Sequence, residues 1–281
     1  MSGLQIVGVF MKIGLIGAEN SHTISFCEAI NAARKFPGYE ITHVYGGDSA
    51  EACAKLVAKY GLIECAGEDE IISACDAFVL TYRRGSEHYI PAMKVLRAGK
   101  PLYNDKPFTV SADKALELTE YAAKNGVLLC GGSTIKSQPE IDALKDRVAP
   151  GSTVVVGYTA DIGSEYDGFW FYGIHTVETF ARLMGANYKS VSACVSGKSV
   201  IASVNYGDRR GVIVNSPDAK DFYVSLMNGG DSETFIIPPG DADIAPAQFI
   251  NMLETGKPPY DYRFYYDCVR LMADIMASAG I

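Results

Sequence analysis

The chain has 281 residues, 48% hydrophobic and 21% charged, enough for two units that each bury a core, and too mixed for a disordered or membrane-embedded polypeptide. Its 25 basic and 33 acidic residues give a net charge of -8 with no clustered basic face, which excludes a nucleic-acid partner. Seven scattered cysteines without a Cys-x-x-Cys pair indicate neither a zinc site nor a disulfide framework, so no metal is expected and a reducing cytoplasm is the predicted setting.

In chain order, residues 12–16 read as an apolar strand, followed by a glycine turn and a helix to about Phe36 that Pro37-Gly38 stops. Residues 41–45 are a second strand, and Ser49 is placed to cap a helix that runs to Tyr60 and ends on Gly61. A buried strand over 77–81 precedes a helix over 86–98. A short strand over 102–104 precedes a helix that Ser111 caps and Asn125-Gly126 ends, and 127–130 closes the series. This alternation predicts parallel pairing with right-handed crossovers. Beyond it, strand-like runs at 154–158, 191–195, 199–205, 211–215 and 222–227 have hairpin spacing, with helices at 174–184, 245–254 and 262–277. The expected architecture is therefore α/β: a doubly wound parallel sheet over 1–131, then an α+β domain over 132–281 with an open, mostly antiparallel sheet. Residues 1–10 lack the basic start of a signal peptide and read as an upstream start or extra strand material. No apolar run reaches the roughly twenty residues that span a bilayer, so no membrane partner is expected.

The first turn reads Gly14-Leu-Ile-Gly17-Ala18-Glu19-Asn20-Ser21-His22. Against the dinucleotide fingerprint Gly-x-Gly-x-x-Gly only Gly17 holds; Glu19 and His22 replace the second and third glycines. A helix start still favours an anion, with Asn20, Ser21 and a protonated His22 as donors, although Asn20-Ser21 serves equally well as a plain helix cap. Asp48, shortly after the second strand, is either the ribose ligand or the turn before Ser49. Thr81-Tyr82-Arg83 follows the third strand at the ligand-binding edge, and Arg84 reads as a solvated loop residue. Two further words carry chemistry. Asn104-Asp105-Lys106-Pro107 sets an amine at the carboxyl edge of the parallel sheet. Gly173-Ile174-His175-Thr176-Val177-Glu178 sets at a helix start an imidazole suited to proton exchange. Glu178, one turn later, shares the face of His175 and is placed to tune it. Phe169, Trp170 and Tyr172 are equally a substrate wall or aromatic core, and His43 reads as structural.

These stations, with His88, Ala98-Gly99-Lys100, Arg182-Leu183-Met184-Gly185 and the closing Gly256-Lys-Pro-Pro, resemble the glucose-fructose oxidoreductase / inositol dehydrogenase / MocA family from Lys12 to Ala279. Asp105 stands where that family usually has glutamate, and Glu178 where it usually has aspartate. The resemblance implies a Rossmann domain that binds NAD or NADP through Gly17–His22, Asp48, Thr81–Arg83 and Lys106. It also implies a sheet domain that packs subunits into homodimers or homotetramers. The expected reaction moves hydride between nicotinamide and a carbinol carbon of a sugar-like or cyclitol-like small molecule; Lys106 orients and polarises the oxygen and His175 exchanges its proton. Two alternatives stay open: a lyase or glycosidase that oxidises transiently, and a degenerate ligand-binding protein without redox chemistry.

Overall fold

The computed structural model describes residues 10–281, so the expectation for the first nine residues lies outside the described residues. The first half runs β1 (Met11–Ile16), α1 (Ser21–Cys27, continued by a π-helical turn Glu28–Ala32), β2 (Tyr39–Tyr45), α2 (Ala50–Tyr60), β3 (Ile63–Glu64), α3 (Glu68–Ala74), β4 (Ala77–Leu80), α4 (Tyr89–Arg97), β5 (Leu102–Asn104), α5 (Ala112–Asn125) and β6 (Leu129–Gly131). All its strand pairs are parallel, in the order β3-β2-β1-β4-β5-β6. Side-chain chemistry sets the helix ends: Ser49 accepts from the Ala52 N–H and Ser111 from the Lys114 N–H, while Gly61 and Gly126 close α2 and α5 in the left-handed region. The helix after β1 ends at Ala32, earlier than the stop at Pro37-Gly38 implied, and the Asn31 side chain bonds both the N–H and the carbonyl of Ile41.

The second half runs α6 (Pro139–Lys145), β7 (Thr153–Tyr158), α7 (Trp170–Met184), β8 (Ser190–Ser196), β9 (Ser199–Asn205), β10 (Arg210–Asn215), β11 (Phe222–Asn228), β12 (Asp231–Ile237), α8 (Ile244–Thr255) and α9 (Tyr262–Ala279). Its sheet has the order β12-β11-β7-β10-β9-β8, and only the β7–β10 pair is parallel. Strand alternation gives it two faces. Val154, Val156, Val200, Ala202, Ile213 and Val224 point inward and are buried in one core with residues of α7 and α9. Ile201, Met227 and Ile236 point the other way and are 41%, 43% and 59% exposed.

The proposed division after Gly131 is crossed by both C-terminal helices: α9 stacks Tyr265 on Phe108 at 5.1 Å and bonds the Val127 carbonyl through Tyr262. α8 packs back on the first domain, where Phe249 meets Phe26 and Tyr103 edge to face at 6.2 Å.

Candidate active site

The candidate site begins where β1 turns into α1. Gly17 has φ 105°, and a Cβ there would lie 2.9 Å from the Tyr82 nitrogen, so glycine lets the turn lie against the end of β4. Thr81, expected to face a cofactor, is fully buried; its hydroxyl pairs with Thr23 at 2.7 Å and it shapes the loop from beneath. Asp48 bonds the turn directly, accepting the Ala18 N–H at 2.8 Å and the Glu19 N–H at 3.1 Å. The carboxylate thus ties the turn after β2 to the β1–α1 loop. Asn20 does cap α1, through the His22 N–H, but its amide also donates to Asp105 at 3.0 Å. His22 turns the same way, with Nδ1 2.8 Å from Asp105, so that nitrogen is committed to the carboxylate. Ser21 stays exposed.

Asp105 is fully buried. Burial alone would raise its carboxyl, but His22 and then Lys106 outweigh it, and the net direction is down. Lys106, 6% exposed, holds its ammonium 4.3 Å from the Phe171 ring centre and 5.5 Å from that of Tyr172. Burial pulls its pKa below the ordinary lysine value; Asp105 opposes this and Arg83 reinforces it.

His175 enters from the other domain. α7 begins at Trp170, so the imidazole stands in the second turn and not at the helix start. Its ring centre is 5.6 Å from that of Tyr172, the ring that Lys106 also approaches. Burial, then the charges of Lys106 and His22, push its pKa well below the ordinary histidine value, so it is neutral at physiological pH. Nδ1 pairs with the Ser133 hydroxyl at 2.7 Å, which leaves Nε2 as the nitrogen free to exchange a proton.

Glu178 does not touch His175. It accepts the Ser133 N–H at 2.9 Å and the Lys136 ammonium at 2.7 Å, so its influence reaches the imidazole through Ser133. Lys136, fully buried, directs its other two donors to the carbonyls of Gly131 and Ser133 at 2.9 Å each. Burial would lower this amine, but Glu178 overcomes it and keeps the ammonium charged. Trp170 joins the main core, and Phe171 takes the wall position beside Tyr172.

The donor and acceptor set fits a dinucleotide: N–H groups at the start of α1 without intrahelical partners for a diphosphate, with Arg83, itself paired to Glu19, nearby, Asp48 for ribose hydroxyls, and Lys106 deeper in. Tyr82 borders the outer end, since a Cβ on Gly47 would meet its hydroxyl at 2.8 Å.

The fold is α/β with one parallel and one mostly antiparallel sheet, and the candidate site lies at the carboxyl edge of the parallel one. Residues 11–133 match the model of the Gfo/Idh/MocA oxidoreductase family, NAD-binding Rossmann fold. The chain is 35% identical over 112 residues to inositol 2-dehydrogenase of Cereibacter sphaeroides, a stretch covering 39% of this chain and only 32% of that protein. Among solved structures, GenD2 from gentamicin A biosynthesis, in complex with NAD, aligns with TM-score 0.80 and 16% identity over 96% of this chain and 94% of its own. The WlbA dehydrogenase from Bordetella pertussis, in complex with NADH and UDP-GlcNAcA, gives 0.79 and 17% over 97% and 98%. At such identities these structures show the fold alone.

Proposed function

We propose that the chain is an NAD(H)-dependent dehydrogenase of a sugar-like or cyclitol-like polyol. The observation that carries this reading is that Lys106 and His175, on different domains, border the same Tyr172 ring while both are nearly buried. Asp48 favours NAD, because a carboxylate at the end of β2 accepts from ribose hydroxyls and repels a 2'-phosphate. When bound, the nicotinamide supplies the acceptor for the carbon-bound hydride. Lys106 holds the reacting oxygen and stabilises negative charge on it as its proton leaves. His175 takes that proton on Nε2, with Ser133 fixing the ring through Nδ1. Tyr172 and Phe171 present flat apolar faces to the C–H side of a ring substrate and exclude water.

The charge of Glu19 is met by Arg83 at 3.3 Å and by the Tyr166 hydroxyl at 2.8 Å, which supports retained dinucleotide binding despite the altered fingerprint. We also assign the outer face of the second sheet to contact with further copies of this chain. Titration with NADH, read by quenching of Trp170, the single tryptophan, tests the central claim. Saturable binding is expected; no binding of NAD(H) or NADP(H) at millimolar concentration would leave a non-redox ligand-binding protein. With polyols, accumulation of NADH separates net oxidation from transient oxidation before elimination.

A further inference from the structure

We propose that residues 161–168 form a strap, carried by the second domain, that closes the dinucleotide groove, with Tyr166 as its latch. The proposal rests on the reading of that groove as a cofactor site. Two lips border the groove: the β1–α1 turn with Glu19, and the segment after β4 with Arg83. Tyr166 joins them. Its hydroxyl donates to Glu19 at 2.8 Å and accepts from Arg83 Nη1 at 2.8 Å, and the guanidinium stacks 4.6 Å from its ring centre. The neighbouring strap residues hold the same lip. Arg84 donates to the Glu165 carbonyl, and the Asp167 carboxylate accepts from Ser86 twice, from its N–H at 3.0 Å and its hydroxyl at 2.9 Å.

The strap also covers the reactive lysine. The Tyr166 ring lies 4.8 Å from Phe171, which lies 4.3 Å from the Lys106 ammonium. Lys106 is 6% exposed and His175 8% exposed, so both are nearly covered with the strap in this position. Space exists for the strap to shift. A cavity of about 550 Å³, lined by Gly163–Tyr166, Phe171 and Tyr172, lies beside the strap.

The backbone fits a segment that is held only when docked. Asp167 has φ 65° and Gly168 has φ 60°, consecutive left-handed residues. An aspartate holds that conformation where surrounding bonds impose it, and here its side-chain bonds to Ser86 exist only with the strap closed. The remaining contacts are ion pairs, hydrogen bonds and ring stacking near the surface, each weak enough to be broken and remade in turnover. Glu19, the residue that departs from the glycine fingerprint, thereby acquires a role as the strap's keeper, and the strap gates entry and exit of the dinucleotide.

The test is stopped-flow measurement of NADH association and dissociation by Trp170 emission, on the full chain, for wild type, Tyr166→Phe and Asp167→Asn. Loss of one docked anchor raises the dissociation rate about tenfold, the equivalent of one hydrogen bond, with thermal melting unchanged. Ser86→Ala, on the Arg83 lip that Asp167 holds, has the same expected effect as Asp167→Asn. Normal NADH binding with unaltered rates in all three variants overturns the strap alone. Absence of NADH binding in wild type at millimolar concentration overturns the cofactor reading, and the strap falls with it.

Discussion

Lys106 and His175, the proposed catalytic pair, each lie in a short motif whose neighbours set their chemistry, and the structure brings both beside Tyr172. Each alanine replacement should cost about 100- to 10,000-fold in turnover, with NADH affinity retained. The double variant should lose much less than the product of the two, because both groups serve one oxygen. Ser133 and Lys136 gave no sequence signal: their shared partner Glu178 lies more than forty residues further along the chain, and only the closed fold brings them together. Ser133→Ala should lower kcat by about tenfold for one lost hydrogen bond while leaving KM and melting nearly unchanged, and Ser133→Thr, which keeps the hydroxyl, should recover it. Equal kcat in Ser133→Ala and wild type would remove Ser133 from the site. Lys136→Met strands a buried carboxylate and should cost about 3–5 kcal/mol in urea unfolding. Glu19 is paired with Arg83 at 3.3 Å, a pairing invisible in sequence because 64 residues separate the two.

Elements with strong periodicity or explicit caps were legible to within a few residues: β9 over 199–205, α2 behind Ser49, α5 between Ser111 and Gly126. Those missed lack a signal for a physical reason. β3 is two exposed residues at a sheet edge, α3 starts after Gly67 with no side-chain cap, and β12 is an edge strand that opens Asp231-Ser-Glu-Thr. α7 is buried nearly all round, so apolar periodicity could not fix its start. Its seat on the sheet depends on Gly211, where a Cβ would meet the Phe180 ring at 2.0 Å. Gly211→Val should push α7, and His175 with it, away from β10. A loss of about 1–3 kcal/mol in stability together with impaired catalysis is expected; an unchanged melting temperature would contradict this packing account.

Assembly and pH response belong to the whole molecule. The outer face of the second sheet carries Ile201, Met227 and Ile236 with Val155, Val212 and Tyr223 between them, an apolar surface suited to a self-complementary contact. Light scattering at micromolar protein should report a dimer or tetramer, and replacing Met227 and Ile236 by lysine should shift it to monomer. Persistent monomer in the wild type would contradict the assignment. Two imidazoles, His88 and His175, are buried with pKa values lowered by burial, His88 against the opposing pull of the Tyr82 carbonyl. The unfolded chain binds protons near pH 6.5 that the native state refuses, so stability is fully present above that value and falls as pH drops below it. The slope approaches about 1.4 kcal/mol per pH unit for each group. Urea midpoints between about pH 7.5 and 5.5 should fall accordingly, and His88→Asn should flatten the trend if it folds as the wild type does.

The return of α8 to the first domain bears on how the molecule melts. Phe249 completes an aromatic cluster with Phe26 and Tyr103, and Tyr262 at the start of α9 donates to the Val127 carbonyl at 2.8 Å, so the last forty residues are shared property of both halves. Neither half can lose its structure without stripping the other of a helix, and unfolding becomes a single cooperative event in spite of the two sheets. Calorimetry should therefore show one heat-absorption peak, with van't Hoff and calorimetric enthalpies in agreement for the assembled species. By the same reasoning, expression of residues 11–131 alone should yield an aggregation-prone fragment, rescued when the α8 segment is fused back to its end.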